Sequence, residues 1–359
     1  MSNTKRILIM AGGTGGHVYP ALAVADLLRD QHHSIEWLGS VRGIENRVVP
    51  EAGIKLHAIA VQGLRGKGKL SLLMAPINLT RAIWQAFKVV RKVKPDVVLG
   101  MGGFASGPGA FAAWLTKTPL VIHEQNAVAG MTNSLSRRFA SRILQAFPNA
   151  FKDGGQGEIV GNPIRGPILQ MQGPKERFSQ HVGAIKVLVV GGSLGAQAIN
   201  EVMPQALAKI EQSVRPDIWH QTGPNHFDAT SKSYQELGLT GRVVPYIEKM
   251  DEAYAWADLV ICRAGALTVS EIAIAGVPAL FIPFPHAVDD HQTANAQYLV
   301  DAGAADLIQQ KDLSAERLAQ WIDKHSSREH LAVMAERARE QGKPSATAEV
   351  ARICLEVAK

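Results

Sequence analysis

The residues best suited to chemistry in this sequence lie between 258 and 276, where a buried strand leads into a helix. The apolar run 259–262 predicts a parallel strand, and an Ala/Ile-rich helix begins near Ala266 and ends before Gly276. A strand that turns into a helix presents backbone N–H groups at the positive end of the helix dipole, where α/β proteins hold phosphates. Glu271 can accept both hydroxyls of a ribose diol.

The same stretch also has a purely structural interpretation. Thr268 and Glu271 have the spacing of a capping box, in which Glu271 would only satisfy backbone donors at the start of the helix. In the alternative interpretation, Thr268 and the adjacent amides meet phosphates. Further glycine loops elsewhere in the chain favour the second interpretation.

Composition bounds the class of protein. A length of 359 residues predicts roughly two domains, and 46% apolar with 19% charged residues is typical of globular chains with sizeable cores. The two cysteines, Cys262 and Cys354, form no disulfide framework or metal cluster, which is consistent with a reducing compartment. The apolar stretch 7–11 is too short for a signal peptide, and no apolar run predicts a transmembrane helix.

Positive charge is concentrated in one segment. Between Glu51 and Asp96 the chain has nine Lys and Arg residues and no acidic residue, although its net charge is only +6. A helix is predicted from 78 to 94. Apolar side chains beside cations suit anionic lipid headgroups. We name the basic–apolar patch for six residues: Lys69, Leu72, Leu73, Ile77, Trp84 and Lys88.

Two other interpretations of this segment remain open. It could be an ordinary amphipathic helix that packs on its domain with its cations in water. Nucleic acid is a weaker third possibility, because one loop and one helix form no recognisable binding module.

Glycine loops follow two strands of the first half. Residues 12–17 read Gly-Gly-Thr-Gly-Gly-His and lack the Lys-Ser/Thr of a P-loop. Residues 100–105 fit the dinucleotide fingerprint G-x-G-x-x-A, with Glu124 downstream, which supports a nicotinamide oxidoreductase as an alternative. Against this, residues 107–109 read Gly-Pro-Gly where the helix should already be running, and the fingerprint follows the fourth strand of its domain.

The second half repeats the opening of the first. A strand at 186–190, a glycine loop at 191–195 and a helix at 196–210 follow one another. The pattern predicts two doubly wound α/β domains with parallel sheets, facing each other across a cleft. We expect one domain over 1–162 with the C-terminal helix 344–359, and the other over 163–343.

Several sequence blocks together resemble a known family. They occur in order as 12–17, 63–68 (Gly-Leu-Arg-Gly-Lys-Gly), 96–103 (Asp-Val-Val-Leu-Gly-Met-Gly-Gly), 106–109 (Ser-Gly-Pro-Gly), 123–126 (His-Glu-Gln-Asn), 160–165 (Val-Gly-Asn-Pro-Ile-Arg) and 266–272 (Ala-Leu-Thr-Val-Ser-Glu-Ile). The whole chain resembles the peptidoglycan N-acetylglucosaminyltransferases of glycosyltransferase family 28. Before Gln292 it departs from them, with Asp289 and Asp290 where the family is more basic and richer in glutamine.

The resemblance implies a GT-B fold and an inverting reaction in peptidoglycan synthesis. N-acetylglucosamine would pass from UDP-N-acetylglucosamine to the muramyl sugar of an undecaprenyl-diphosphate lipid (lipid I), giving lipid II. The family works without a cofactor, as a peripheral protein at the cytoplasmic face of the inner membrane. The implied partners are the donor, the polyprenyl-diphosphate acceptor, the anionic membrane surface, and cell-wall and division proteins, but no nucleic acid.

The resemblance also implies residue roles. Glu271 would take the ribose hydroxyls, Ser193 and Ala266 to Thr268 the donor diphosphate, Ile247 the uracil, Arg165 the nucleotide, and Gln292 and Asn126 the donor sugar. The full donor set is Thr14, Gly15, Gly16, Asn126, Arg165, Ser193, Ile247, Ala266, Leu267, Thr268, Val269, Ser270, Glu271 and Gln292. The acceptor diphosphate would meet Gly13, Gly102, Gly103, Ser106 and Gly107.

Such a reaction requires a base for the acceptor hydroxyl. His17 is the first candidate, because the positive end of the helix it precedes disfavours the charged imidazole. It could instead order its loop or contact the acceptor diphosphate, and Glu124 is the alternative base. Asp289 and Asp290 could suggest a metal site, but adjacent carboxylates at a helix start more often complement its dipole.

Two further functions remain as alternatives to the transferase. One is a non-catalytic binder of lipid diphosphates that uses the basic segment. The other is a UDP-sugar epimerase on the same fold, although an epimerase has no obvious use for that segment.

Overall fold

The computed structural model describes residues 4–61, 74–151, 157–164, 166–192 and 195–359, with the backbone alone at Val288. The chain forms two compact units. The first comprises Met1–Arg165 with Pro344–Lys359, and the second comprises Gly166–Lys343. The first boundary lies three residues beyond the predicted position.

A parallel sheet of seven strands forms the centre of the first unit, in the order β3-β2-β1-β4-β5-β6-β7. Residues 7–10 and 97–100, in the two central strands, are continuous buried apolar runs because helices cover both faces. The strands are β1 Arg6–Met10, β2 Ser34–Ser40, β3 Lys55–Ile59, β4 Val97–Gly100, β5 Leu120–Glu124, β6 Arg142–Gln145 and β7 Glu158–Ile159. The sheet continues beyond Gln145, since β7 pairs with β6.

Helices pack on both faces of this sheet. They are α1 Gly15–Asp30, α2 Glu45–Glu51, α3 Ala75–Val93, α4 Ser106–Leu115 and α5 Met131–Ser136. The last helix of the chain, Ala346–Val357, belongs to the same core. Its residues Val350, Ile353 and Cys354 are buried together with Val18 and Leu28 of α1.

Helix α4 runs through the sequence Gly107-Pro108-Gly109, which was expected to interrupt a helix. Proline is tolerated there because the N–H groups of the first helical turn have no intrahelical acceptor. Gly109 is required by packing: a Cβ on it would lie 2.1 Å from the Met10 sulfur. The helix-breaking argument was therefore wrong, although β4 is indeed the fourth strand.

The second unit repeats this plan with six parallel strands in the order β10-β9-β8-β11-β12-β13. The strands are β8 Lys186–Val190, β9 Asp217–Gln221, β10 Arg242–Val244, β11 Leu259–Cys262, β12 Ala279–Phe281 and β13 Ala305–Leu307. The helices are α6 Gly166–Leu169, α7 Pro174–Gln180, α8 Gln197–Ala208, α9 Phe227–Glu236, α10 Met250–Trp256, α11 Ala266–Ala275, α12 His291–Asp301, α13 Ala315–Lys324 and α14 Arg328–Gln341. The C-terminal helix Ala346–Val357 is α15.

Strand order reverses at equivalent places in the two units. In the first unit β1 lies between β2 and β4, and in the second β8 lies between β9 and β11. Doubly wound sheets bind ligands beyond the carboxyl ends of the strands at such a switch point. The glycine-rich loops follow these central strands. Among the described helices, none is long and apolar enough to cross a membrane.

Candidate active site

The two glycine loops of the first unit pack directly on one another. Gly102 and Gly103 adopt φ values of +90° and +86°, a region that favours glycine. A Cβ on Gly103 would lie 2.2 Å from the carbonyl oxygen of Gly12, and a Cβ on Gly102 would lie 2.9 Å from the His17 ring. Only residues without a side chain allow this approach, which brings the predicted acceptor residues beside His17.

His17 lies in the first turn of α1, because that helix begins at Gly15, and it does not precede the helix as expected. Its backbone N–H donates to the Thr14 carbonyl at 3.2 Å. Its Nδ1 atom lies 2.8 Å from the Oε1 atom of Gln125 in the loop after β5. His17 as a residue is partly exposed. Its ring is therefore held at one nitrogen in a residue that is not fully buried.

The structure assigns Glu124 to the support of its own loop. The carboxylate is buried, and its Oε1 accepts from the Asn126 backbone N–H at 2.9 Å and from Asn126 Nδ2 at 3.3 Å. Its Oε2 accepts from the Gly130 N–H at 3.2 Å and from Asn133 Nδ2 at 2.9 Å. Four donors on one carboxylate leave little capacity for a substrate hydroxyl.

A buried carboxylate that the sequence analysis missed supports the first glycine loop. Glu45, the first residue of α2, accepts from the Gly13 N–H at 2.9 Å through Oε2. Its Oε1 accepts from the Ser40 N–H at 3.1 Å and from Ser40 Oγ at 2.7 Å. The Gly13 amide, predicted to meet the acceptor diphosphate, is therefore already engaged. Only the acidic start of a helix after β2 could have suggested Glu45.

Ser106 is likewise engaged by the protein. Its hydroxyl is buried and lies 2.9 Å from the Met10 carbonyl and 2.7 Å from the Gly102 carbonyl. Its N–H donates to the Gly103 carbonyl at 3.3 Å. Ser106 thus fixes the second glycine loop to the end of β1, and Gly107 follows it in the first turn of α4.

The predicted donor contacts of the first unit lie at the same sheet edge. Thr14 precedes α1 and is exposed, and Gly15 and Gly16 are the first two residues of that helix. N–H groups at such positions have no intrahelical acceptor. Asn126 is held by Glu124, as described above.

In the second unit, a buried polar network supports the glycine loop after β8. A Cβ on Gly195 would lie 1.9 Å from the Thr222 carbonyl oxygen, which also accepts from Asn200 Nδ2 at 2.8 Å. Asn200 Oδ1 lies 3.0 Å from His220 Nε2, and His220 Nδ1 lies 3.0 Å from the Tyr234 hydroxyl. Burial lowers the pKa of His220 to about 3, so its ring is neutral. Of the predicted residues, Ser193 lies outside the described part of the chain, as does Arg165.

The structure contradicts the capping-box interpretation of Glu271. Helix α11 begins at Ala266 after Gly265, which places Thr268 third and Glu271 sixth in the helix. A capping box requires Thr at the residue before the helix. Glu271 is largely buried, and its Oε2 accepts from the Tyr254 hydroxyl at 3.2 Å.

The other predicted residues of α11 share its first two turns. Ala266 and Val269 are buried in the unit. Leu267, Thr268 and Ser270 are partly exposed. Ile247 follows β10 and is buried.

Gln292 joins two loops at the carboxyl edge of the second sheet. Its Oε1 accepts from the Ala264 N–H at 3.3 Å and from the Phe284 N–H at 2.9 Å. Arg263 acts nearby in the same way, since its guanidinium donates to the carbonyls of Ile282 and Pro283 at 3.0 Å each. The loops after β11 and β12 are thereby fixed to each other.

Asp290 bonds to a side chain in the first turn of the helix that follows it. Its Oδ1 accepts from the Thr293 hydroxyl at 2.7 Å in the first turn of α12. Among the described residues, no group of three His, Cys, Asp or Glu side chains is placed to hold a metal ion.

An exposed apolar surface lies on α3 and α4. Ile77 and Trp84 of the basic–apolar patch are 60% and 57% exposed, and the Lys88 ammonium lies 3.3 Å from the centroid of the Trp84 ring. Lys69, Leu72 and Leu73 lie outside the described residues. Leu79 on α3 and Trp114 and Leu115 on α4 are also exposed, and the sequence analysis missed them. Helix α4 packs beside α3.

Family models match both units. The glycosyltransferase family 28 N-terminal domain matches residues 7–145, and the family 28 C-terminal domain matches residues 186–350. The chain belongs to glycosyltransferase family 28. Its two parallel-sheet units are those of a GT-B glycosyltransferase. This family membership contradicts the nicotinamide oxidoreductase alternative.

Curated relatives within family 28 match the chain from end to end. A protein of Marinobacter nauticus is 51% identical over 99% of both chains, and one of Dechloromonas aromatica is 50% identical over 99% of this chain and all of its own. Both are named UDP-N-acetylglucosamine–N-acetylmuramyl-(pentapeptide) pyrophosphoryl-undecaprenol N-acetylglucosamine transferase.

A solved structure of the family agrees with these matches. The crystal structure of Acinetobacter baumannii MurG superimposes with a TM-score of 0.88 at 42% sequence identity, covering 98% of this chain and 99% of that one.

Proposed function

We propose that this chain transfers N-acetylglucosamine from UDP-N-acetylglucosamine to the muramyl sugar of an undecaprenyl-diphosphate lipid. The observation that carries the proposal is 51% identity over 99% of both chains with a relative named for that transfer. The product would be the lipid-linked disaccharide of peptidoglycan synthesis.

We assign the acceptor and the base to the first unit. The acceptor hydroxyl attacks C1 of the donor sugar while its proton passes to His17. The bond between C1 and the diphosphate oxygen breaks, and its electron pair leaves with UDP. Attack opposite the leaving group inverts the anomeric centre. His17 is preferred over Glu124 because the residue is partly exposed, whereas four protein donors surround the Glu124 carboxylate.

The acceptor diphosphate is proposed to lie against the paired glycine loops. The Gly13 amide already donates to Glu45, and the Ser106 hydroxyl bonds to backbone carbonyls. Gly13 and Ser106 are therefore proposed to position the loops and not to contact the diphosphate. Gly102, Gly103 and Gly107 keep their proposed role. Thr14, Gly15 and Gly16 are retained as donor contacts, because the first amides of α1 suit a phosphate or sugar oxygen. Asn126, in the loop after β5, is retained as a donor-sugar contact.

UDP is assigned to the second unit. Glu271 would accept the ribose hydroxyls, with Tyr254 fixing its carboxylate at 3.2 Å. The N-terminus of α11, from Ala266 to Thr268, would meet the diphosphate and stabilise the charge of the departing group. The loop positions Ser193, Ile247 and Arg165, the α11 residues Val269 and Ser270, and Gln292 complete the proposed set.

The basic–apolar patch is proposed to dock the protein on an anionic membrane, with the catalytic loops at the cytoplasmic face of the inner membrane. Exposed Trp84 and Ile77 would enter the headgroup region while Lys88 and its neighbours meet lipid phosphates. Cell-wall and division proteins are proposed as further partners at that surface.

UDP release from UDP-N-acetylglucosamine tests the proposal. We expect release only when a lipid I analogue is present, and undiminished release in chelator. A His17→Gln variant should bind UDP normally and release it at least about a hundredfold more slowly. Intact UDP binding without release would reject the transferase and favour the lipid binder, whereas conversion of the nucleotide sugar without acceptor would favour the epimerase.

A further inference from the structure

Four groups in the first unit form a continuous hydrogen-bonded series that ends at His17. The Gly161 carbonyl lies 2.8 Å from His123 Nε2. His123 Nδ1 lies 3.1 Å from Gln125 Nε2, and Gln125 Oε1 lies 2.8 Å from His17 Nδ1. His123 and Gln125 are both buried.

In the hydrogen bond between His123 and the Gly161 carbonyl, only His123 can be the donor. A backbone carbonyl accepts and cannot donate, so His123 Nε2 must carry a hydrogen. Burial lowers the pKa of His123 to about 4, which leaves its ring neutral near neutral pH. A neutral imidazole has one N–H, and His123 Nδ1 is therefore an acceptor.

The second link fixes the orientation of the Gln125 side chain. The nitrogen end of its amide faces two acceptors, His123 Nδ1 and the His123 backbone carbonyl, which lies 3.2 Å away. A flipped amide would place its oxygen against both acceptors. The Gln125 backbone is also held, because its carbonyl accepts from Asn162 Nδ2 at 3.0 Å.

The last link sets the protonation of His17. Gln125 Oε1 can only accept, so His17 Nδ1 carries the hydrogen and Nε2 of the neutral ring holds a lone pair. We propose that Gln125, held by His123 and the Gly161 carbonyl, is a positioning residue that selects this tautomer and directs Nε2 of His17 as the basic atom. This inference rests on the proposed function of His17.

The choice of an amide in this position has a chemical reason. No proton moves along the series, since Gln125 neither gains nor loses one. As the acceptor proton reaches Nε2, the ring becomes charged and its Nδ1–H donates a stronger, charge-assisted bond to Oε1. A carboxylate there would favour the protonated ring before the reaction, and a protonated ring cannot accept the proton of the acceptor hydroxyl. The amide orients the ring without that penalty.

Nitrogen NMR of protein labelled with ¹⁵N-histidine tests the tautomer directly. At about pH 8 the His17 signals, identified by their loss in His17→Gln, should show a protonated Nδ1 and an unprotonated Nε2. In Gln125→Met the Nε2–H tautomer should appear. A protonated Nε2 in the unmodified protein, or an unchanged tautomer in Gln125→Met, would overturn the inference.

Kinetics with a matched control separate positioning from general damage. Gln125→Met should lower kcat on the order of a hundredfold with little change in KM. Gln145→Met makes the same substitution at a buried glutamine on β6 that bonds to the Gly157 carbonyl at 3.0 Å, outside the series. It should keep kcat within about threefold. Equal losses of kcat in both variants would contradict the inference.

The two measurements distinguish failure of this inference from failure of the proposed function. The predicted His17 tautomer in a protein that transfers no sugar would leave the positioning intact and reject the transferase. Normal sugar transfer by a protein in which His17 Nε2 is protonated would support the transferase and reject the positioning role of Gln125.

Discussion

Gly103 lies directly against Gly12, with room for no side chain between them. A Cβ on Gly103 would come within 2.2 Å of the Gly12 carbonyl oxygen and 2.9 Å of its nitrogen. The φ of +86° adds backbone strain for any other residue. This contact joins the loops after β1 and β4.

Gly103→Ala should therefore destabilise the protein by at least about 2 kcal/mol. The free energy of unfolding in urea measures the loss. Gly173→Ala is the control, because Gly173 has a φ of −63° and nothing within 4 Å of the added Cβ. Equal stability of the two variants would show that the loops can separate at little cost.

Replacing Glu271 should weaken UDP binding. Glu271→Gln keeps the size of the side chain but removes the charge that accepts ribose hydroxyls, so the Kd for UDP should rise roughly tenfold to a hundredfold. Calorimetric titration with UDP provides the measurement. Glu236→Gln, an exposed site at the end of α9, should bind as the unmodified protein does. Unchanged affinity in Glu271→Gln would refute the assigned role.

Acid should destabilise the protein partly through His220. Burial lowers the pKa of His220 to about 3 from 6.5, so below pH 6.5 the unfolded state binds a proton that the folded state does not. The contribution of His220 to the free energy of unfolding is therefore fully present above pH 6.5. It decreases toward pH 3 by up to about 1.4 kcal/mol per pH unit.

A substitution isolates that contribution. His220→Gln can still donate to Asn200 and accept from Tyr234, but it does not titrate. Urea unfolding is measured between about pH 7 and 4.5. As the pH falls, the free energy of unfolding of His220→Gln should decrease less steeply than that of the unmodified protein, and the difference in slope should correspond to nearly one proton. His286→Gln, at an exposed position, serves as the comparison. An identical slope in His220→Gln and the unmodified protein would rule out His220 as a source of acid sensitivity.

Membrane binding should depend on the basic–apolar patch. Trp84→Glu places a carboxylate among cations at a site 57% exposed, and should raise the Kd for phosphatidylglycerol vesicles by about tenfold or more. Val182→Glu is a matched control, because Val182 is an exposed apolar residue of the second unit. Sedimentation with vesicles at two salt concentrations would measure the apolar and the electrostatic contributions to membrane binding. Similar binding by the two variants would move the docking surface elsewhere.

The strands and glycine loops could be predicted because their signals are local. Each central strand is a short apolar run, and each loop follows it directly in the sequence. The helix through Gly107-Pro108-Gly109 could not be predicted in the same way. Its reason is the closeness of Gly109 to Met10, a residue nearly a hundred positions earlier.

The supporting residues of the site were missed for a related reason. Glu45 contacts Gly13 across 32 positions, and Gln125 contacts His17 across 108. Neither type of residue is unusual in a loop or at a helix start. Only the folded sheet, which brings the carboxyl ends of β1, β4 and β5 together, shows what they hold.

The packing of α15 on α1 has a consequence for synthesis on the ribosome. The helix Ala346–Val357 emerges only after all of Gly166–Lys343 has been translated. Until then, the apolar face of α1 that includes Val18 and Leu28 lacks the residues Val350, Ile353 and Cys354 that cover it. The second unit can thus complete its core while the first still waits for its last helix, and nascent chains stalled before residue 346 should be the ones that chaperones hold.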